Sequence, residues 1–322
     1  MTEQLWAAFE REVFRPLEIL YVRQAFQQMQ QREAVLRETF LSGFMQLLQE
    51  RPEESWEVLS LSLLYSSVLL GKPVIRVEAL PDDGGEAQLA GNLSAEWLFP
   101  GWEQFRQELV ELSKPERRYL RLANLDAFMN ETVHMLIQAA TPLLRYWLRD
   151  GAGEALRARK HAPELLVSFG EYGGKAEILS WELPYVRLGN VPETEPETPE
   201  DFAYRRFTGQ SCHDLDMQGL SFRQAIFEGC RLEGCSFRNC DLRDAVFRKC
   251  RFFDCNFSES QVGGSLWVDD LFFQTGFSDL QEDAEQAEFF RPAEGIGCRF
   301  RKMHLSENTP ISWQGSRVEQ EG

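Results

Sequence analysis

Basic residues are scarce in this chain of 322: 34 Lys and Arg stand against 51 Asp and Glu, for a net charge of −17 and a pI near 4.8. Proteins bind phosphate backbones largely through Lys and Arg that release counterions, so this deficit argues against a nucleic-acid contact. It argues equally against an anionic membrane surface. Long apolar runs are missing as well. The best, Leu59 to Leu70, is twelve residues long and holds four serines. That is short of the ~20 residues of a spanning helix, and a buried helix is expected there. The opening MTEQLWAAFEREVF has acids where a leader has a basic and then an apolar segment, so export is not expected and a cytoplasmic location is. Histidine is limited to His134, His161, His213 and His304, none in metalloprotease spacing. A Gly-x-Ser-x-Gly elbow, a phosphate loop and a dinucleotide Gly-x-Gly-x-x-Gly fingerprint are all lacking. No catalytic, cofactor-binding or metal-binding residue is therefore assigned, and no cofactor is expected.

What is present suffices for a core: 43% of residues are hydrophobic and 26% charged, and the length suits two domains, or one and a half. Leu5, Phe9, Val13, Leu17 and Leu20 recur on one helical face, with a kink or break expected at Pro16. The helical pattern continues from Ala34 to Glu50, and Pro52 suits a fresh helix over Glu53 to Leu70, stopped by Gly71 and Pro73. Val74 to Leu80 alternates as a half-buried strand before the turn PDDGG. Helices are expected at Ala95 to Leu112 and Glu116 to Arg149, the second with a bend or boundary at Pro142, followed by a β-hairpin of Leu165 to Phe169 and Ala176 to Trp181. Residues 1–190 thus read as a mainly helical domain with a small β-hairpin. Residues 191–203, with VPETEPETPED, read as an acidic, Pro-rich linker.

The C-terminal part has a period of five. Large apolar residues fall at Met217, Phe222, Phe227, Leu232, Phe237, Leu242, Phe247, Phe252, Phe257 and Val262. Two places before each stands a mostly small residue, in order Leu215, Leu220, Ala225, Cys230, Cys235, Cys240, Ala245, Cys250, Cys255 and Ser260. Five fits neither the 3.6 of a helix nor the 2.0 of a strand. Residues two apart face the same side of an extended chain, so both members of each pair point inward if the chain turns a corner once per unit.

AIFEG, CRLEG, CSFRN, CDLRD, AVFRK, CRFFD and CNFSE resemble the pentapeptide-repeat family, whose units run Ala or Cys, Asp or Asn, Leu or Phe, then two polar residues. The resemblance implies a right-handed quadrilateral β-helix over residues 204–267, and an α+β two-domain chain. Arg231 and Arg251 depart from the family's Asp or Asn. Gly263, Gly264 and the acidic stretch Asp269 to Glu294 read as an interruption, an insertion over 268–297 that is part helical around Asp279 to Phe290 and caps the solenoid. Cys298 with Phe300, then Met303 and Leu305, restore the spacing as a closing strand, so residues 268–322 comprise insertion, strand and tail.

The spacing of Cys230, Cys235, Cys240, Cys250 and Cys255 lacks the paired sulfurs of zinc and iron–sulfur sites, so these residues are expected as buried packing. Trp97, Phe99, Trp102 and Phe105 are expected in the helical core, and Tyr172 at a hairpin tip. Some pentapeptide-repeat proteins imitate duplex DNA and bind type II topoisomerases through an acidic rod. Here Arg205 to Val262 carries nine basic and eight acidic residues, so the repeat is charge-balanced. Ten units make two and a half coils, about 12 Å at the ~4.8 Å strand spacing. A non-enzymatic interaction or scaffold protein is therefore expected, with a protein partner or a second copy and with no direct nucleic acid and no membrane. DNA mimicry toward a topoisomerase, or an enzyme with an unrecognised site, in the helical domain or in a cleft between domains with Glu171 or Tyr172 near it, are the alternatives.

Overall fold

Proline has no amide hydrogen to give a helix, and the chain meets Pro16 by loosening the turn before it. Helix α1 (Thr2–Phe9) runs into a π-helical turn (Glu10–Phe14), and α2 (Arg15–Gln31) then takes Pro16 in its first turn, where no donor is needed. Helix α3 (Glu33–Gln49) follows after Arg32 leaves the helical region. The structure is a computed structural model that describes residues 2–50, 55–82, 84–116, 122–158, 164–183, 187–188, 202–281, 293–303 and 309–319. It divides into two units, Met1–Ser180 and Trp181–Gly322.

The helix expected over Glu53 to Leu70 is instead strand β1 (Trp56–Leu63) and a five-residue helix α4 (Tyr65–Leu69). The reason is visible in the run: Leu59, Leu61 and Leu63 are fully buried and alternate with serines, the period of a strand. Strands β2 (Val74–Pro81) and β3 (Gln88–Ser94) follow antiparallel, the latter not foreseen. The expected hairpin, β4 (Leu165–Glu171) and β5 (Ala176–Glu182), is not freestanding. β4 pairs parallel with β1 and completes a five-stranded sheet of order β3-β2-β1-β4-β5.

Helices cover this sheet. A Cβ on Gly91 of β3 would run into the Leu47 side chain of α3, so glycine there permits the close approach. The aromatic segment forms a short 3-10 turn (Glu96–Leu98) and then α5 (Trp102–Ser113), with Phe99, Trp102 and Phe105 buried as expected. Helix α6 (Leu122–Gly151) passes through Pro142 without ending. Ala139, Ala140, Leu143, Leu144 and Trp147 around it are buried, and that packing outweighs the lost hydrogen bond. A short α7 (Gly153–Ala158) follows. Arg15 ties α2 to α6: it bonds Glu18 at 2.8 Å and Glu131 at 2.8 Å, and buried Glu18 also accepts from Thr132 at 3.0 Å.

In the second unit the five-residue period becomes a coil of twenty. One wall stacks β6 (Arg206–Thr208), β8 (Ile226–Glu228), β10 (Val246–Arg248), β12 (Leu266–Val268), β14 (Ala293–Ile296) and β16 (Ile311–Gln314). A second stacks β7 (Ser211–His213), β9 (Arg231–Glu233), β11 (Arg251–Phe253), β13 (Leu271–Phe273), β15 (Arg299–Arg301) and β17 (Arg317–Glu319). All pair in parallel. Bridges such as Asp216 to Ser236 to Asn256 and Ser221 to Asp241 to Gln261 form the remaining two walls. All ten large residues of the sequence pattern are fully buried, and their rings stack between coils: Phe207 on Phe227 at 4.7 Å, Phe227 on Phe247 at 4.8 Å, Phe247 on Trp267 at 3.9 Å.

The corner that an odd repeat demands is a left-handed residue. From Tyr204 to Asp279 every fifth residue has positive φ, sixteen in succession. This corrects the expected interruption. Gly264 is one of those corners, placed where a Cβ would strike Asp244 of the coil before, and Trp267, Phe272 and Phe277 continue the buried column. The coil thus runs unbroken to Gln281, and Asp279 belongs to it rather than to a helix. Residues 293–296 of the expected insertion form wall strand β14, and Phe202 and Ala203 of the expected linker are buried in a turn; residues 282–292, 191–201 and Leu305 lie outside the described residues. The closing strand at Phe300 is present as β15, and one further pair, β16 and β17, follows. Trp313 packs on Phe272, Phe277 and Phe300, and its ring occupies the space a side chain on Gly295 would need. At the opposite end Phe202 stacks on Phe222. No helix among the described residues is long and apolar enough to cross a membrane.

Candidate functional site

Place within the five-residue unit decides where a side chain points. The large residue and the one two before it face inward, and the other three face out. On the two bridge walls the outward residue before the large one caps the turn: Asp216, Asp241 and Asn256 accept the amide hydrogens of Gln218, Arg243 and Ser258 at 3.0 to 3.1 Å. On the two strand walls the same place holds Ile226, Arg231, Val246, Arg251, Leu266 or Leu271, on extended backbone that needs no cap. Arg231 and Arg251 thus depart from the family's Asp or Asn because they begin strands.

The strand walls differ in what they expose. On the first, outward-facing Val246 and Leu266 are 0% and 8% accessible, and Arg206 pairs with Glu228 at 3.5 Å. On the second, register stacks Arg231, Arg251, Leu271, Arg299 and Arg317 in one outward column and Glu233, Phe253, Phe273, Arg301 and Glu319 in the other. Every one of these arginines is exposed. Arg231 bonds Glu233 at 3.2 Å and lies 4.2 Å over the Phe253 ring, and Lys302 lies 5.2 Å over Phe273. Residues 202–281, 293–302 and 311–319 together hold thirteen basic and thirteen acidic residues, so the net −17 is carried outside the coil.

Inside, all seven cysteines are free and buried, and no group of His, Cys, Asp and Glu among the described residues could hold a metal ion. Five of them, Cys230, Cys235, Cys240, Cys255 and Cys298, lie with the S–H toward a carbonyl of the coil before, as Cys230 donates to Phe207 at 3.2 Å and Cys240 to Met217 at 3.0 Å. Burial pushes the Cys240 and Cys298 thiols up to about 12. In the column Cys230, Cys250, Cys298 the next coil's place is taken by Asp270, a residue the sequence reading did not single out. It is fully buried; Oδ1 accepts the Cys250 amide hydrogen at 2.6 Å, Oδ2 has no hydrogen-bond partner among the described residues, and burial pushes its pKa well above the ordinary carboxylate value.

This register of inward small and large residues, with a corner every five, decides the assignment, and the family model described as pentapeptide repeats (9 copies) matches residues 218–261. The coil is a pentapeptide-repeat β-helix. Among solved structures, a pentapeptide-repeat protein from the thylakoid lumen of Arabidopsis thaliana is 19% identical over 38% of this chain and 68% of its own, with a TM-score of 0.22. Trypsin-treated QnrB1, a plasmid-mediated fluoroquinolone resistance protein, is 16% identical over 35% of this chain and 47% of its own, with a TM-score of 0.18. At such TM-scores neither bears on what this chain does. A search of curated proteins found no match to the chain.

In the first unit the structure joins two residues the sequence kept apart. His134 Nε2 lies 3.2 Å from Glu171, half exposed, while Tyr172 is exposed at the hairpin tip with Arg76 5.3 Å over its ring. Such an exposed pair contributes little to stability and has no nucleophile in its own hydrogen bonds. His213 stands exposed beside Glu233, and His161 and His304 lie outside the described residues. A groove of about 110 Å³ between α2 and α5 is lined by Leu17, Leu20, Tyr21, Gln24 and Phe105 among others, with Trp102 in the core behind it.

Proposed function

We propose that the chain is a non-enzymatic interaction protein whose pentapeptide-repeat coil serves as a rigid platform for a protein partner. The observation that carries this reading is the second strand wall: six strands deep, with exposed outward-facing arginines, on a coil filled by stacked rings. A surface already ordered before contact loses little conformational entropy on binding. Seven buried free thiols suit a reducing compartment such as the cytoplasm.

DNA mimicry finds less support. Six strands span about 24 Å at the ~4.8 Å strand spacing, longer than the sequence suggested. That equals roughly seven base pairs at ~3.4 Å each. The extra length brings no acidic rod, since the coil stays charge-neutral. The test is capture with the full chain followed by reconstitution from purified components. A saturable one-to-one complex with one recovered protein is the expected result, and inhibition of topoisomerase supercoiling by the pure chain would restore the mimic in its place.

A further inference from the structure

Like charges stacked directly across strands destabilise a sheet. The second wall nevertheless places Arg251, Arg299 and Arg317 in a single outward column, in register through β11, β13, β15 and β17 with Leu271 between the first two. All three are exposed, and none makes an ion pair among the described residues. The contrast with other arginines on the coil is direct. Arg206 is paired with Glu228, Arg238 with Glu259 at 2.6 Å, and Arg243 with Asp241 at 2.7 Å. Those pairs account for their own charges; the column does not. Arg231, itself bonded to Glu233, extends it by one coil, and Arg301 and Lys302 stand beside it; against Glu233 and Glu319 on the same wall, basic residues outnumber acidic ones on this face of a chain of net charge −17.

We propose that this arginine column is the docking face for an extended acidic peptide segment of a partner protein, lying along the coil axis. The proposal rests on the interaction reading above and names the chemistry of the partner. From Arg231 to Arg317 is four strand steps, about 19 Å at ~4.8 Å each. An extended peptide places same-side residues ~6.7 Å apart, so a segment with acids at alternate positions sets three carboxylates against the column. Each guanidinium offers a planar fork that takes a carboxylate in two parallel hydrogen bonds. Phe253 and Phe273 beside the column lie under Arg231 and Lys302 and hold those cations at the wall. A nucleic acid is the poorer occupant. Its charge continues past the column, and a chain of net charge −17 offers a polyanion of that length no general attraction.

The test titrates a fluorescein-labelled (Glu-Thr)6 peptide into the full chain and into Arg251→Glu/Arg299→Glu/Arg317→Glu at two salt concentrations, with a single-stranded DNA oligonucleotide of equal charge as competitor. Saturable binding weakened tenfold or more in the triple variant, and weakened again by salt, is the expected result. Far-UV circular dichroism checks the fold, and Arg251→Gln/Arg299→Gln gives an intermediate loss if the reversal disturbs it. Equal binding by wild type and variants overturns the proposal, as does tighter competition by DNA, or a column whose reversal abolishes only self-association. If the partner recovered by capture still binds the triple variant, the docking face is refuted while the interaction reading stands.

Discussion

The two units solve the same burial problem in opposite ways. Met1–Ser180 uses contacts made once: Tyr21 stacks on Phe105 at 4.5 Å, Arg145 bonds the Ile178 carbonyl and Glu177, and buried Glu18 depends on Arg15 and Thr132. The coil makes one contact many times. Ring on ring, thiol to carbonyl and left-handed corner recur every twenty or every five residues. A repeat of this kind holds by nearest-neighbour terms, so its parts are interchangeable where those of the first unit are not.

The largest test of that contrast is Phe237→Asp. Phe237 is fully buried, stacked on Phe257 at 4.7 Å and in contact with the rings of Phe222 and Phe227. Removing such a ring costs about 3–5 kcal/mol, and leaving an unpaired carboxylate there costs more. Thermal unfolding followed by circular dichroism is expected to lose the cooperative transition of the coil. Its neighbour Arg238 is exposed and paired only with Glu259, so Arg238→Asp is expected to leave the transition in place. Equal effects at the two positions would break the five-residue register.

Repetition also explains what the sequence made legible. Ten successive units repeat the same evidence, so the coil and its inward positions could be read without any long-range contact. In the first unit the period-two alternation of Leu59, Leu61 and Leu63 was present but ran on into Tyr65–Leu69 without a break, and merged with it as one apolar run. Strand β3 carries Gly91 and few apolar residues, and exists because β2 and α3 flank it. The arginine column was hidden for a different reason. Arg231, Arg251, Arg299 and Arg317 come together only when the coil continues through residues 264–281, which Gly264 and the acidic residues disguised.

The first unit should break where a single contact is removed. Arg15→Ala leaves Glu18, 1% accessible, with Thr132 alone, and a loss of about 2 kcal/mol is expected in chemical denaturation, below the full buried-pair value because Arg15 is partly exposed. Arg15→Met with Glu18→Leu removes the charge along with its partner, and is expected to recover most of that loss. If the double variant is as unstable as the single, the network does more than compensate for a buried acid.

Asp270 is the one place where the coil behaves like the first unit. The carboxyl lies at a small inward position, facing Cys230, Cys250 and Cys298 with Asp269 beside it. An unfolded carboxyl titrates near ~3.9. Burial raises the folded value, so the contribution of the neutral acid is complete below about pH 4 and is lost as pH rises toward the folded pKa, at about 1.4 kcal/mol per unit. Asp270→Cys restores the column and removes that term. Measured upward from pH 5, the variant is expected to gain on wild type until the folded pKa is passed. A constant difference across that range would mean that the site accepts the charge.

The smallest effect tests the interchangeability itself. Of the corners in the coil, six are neither Gly, Asn nor Asp: Tyr204, Gln224, Lys249, Glu259, Gln274 and Lys302. A left-handed residue with a Cβ costs roughly 1–2 kcal/mol, and glycine recovers this less its own ~0.5–1 kcal/mol of added unfolded-state freedom. Lys249→Gly, at φ 54°, and Gln274→Gly, at φ 50°, are each expected to stabilise by about 0.5 kcal/mol. The two corners follow different walls in different coils and share no neighbours, so in urea denaturation the pair should add to within about 0.3–0.5 kcal/mol. Additivity is what a column of equivalent units requires. A pair that gains much less than its sum would show that the coil, like the first unit, relies on contacts specific to each level.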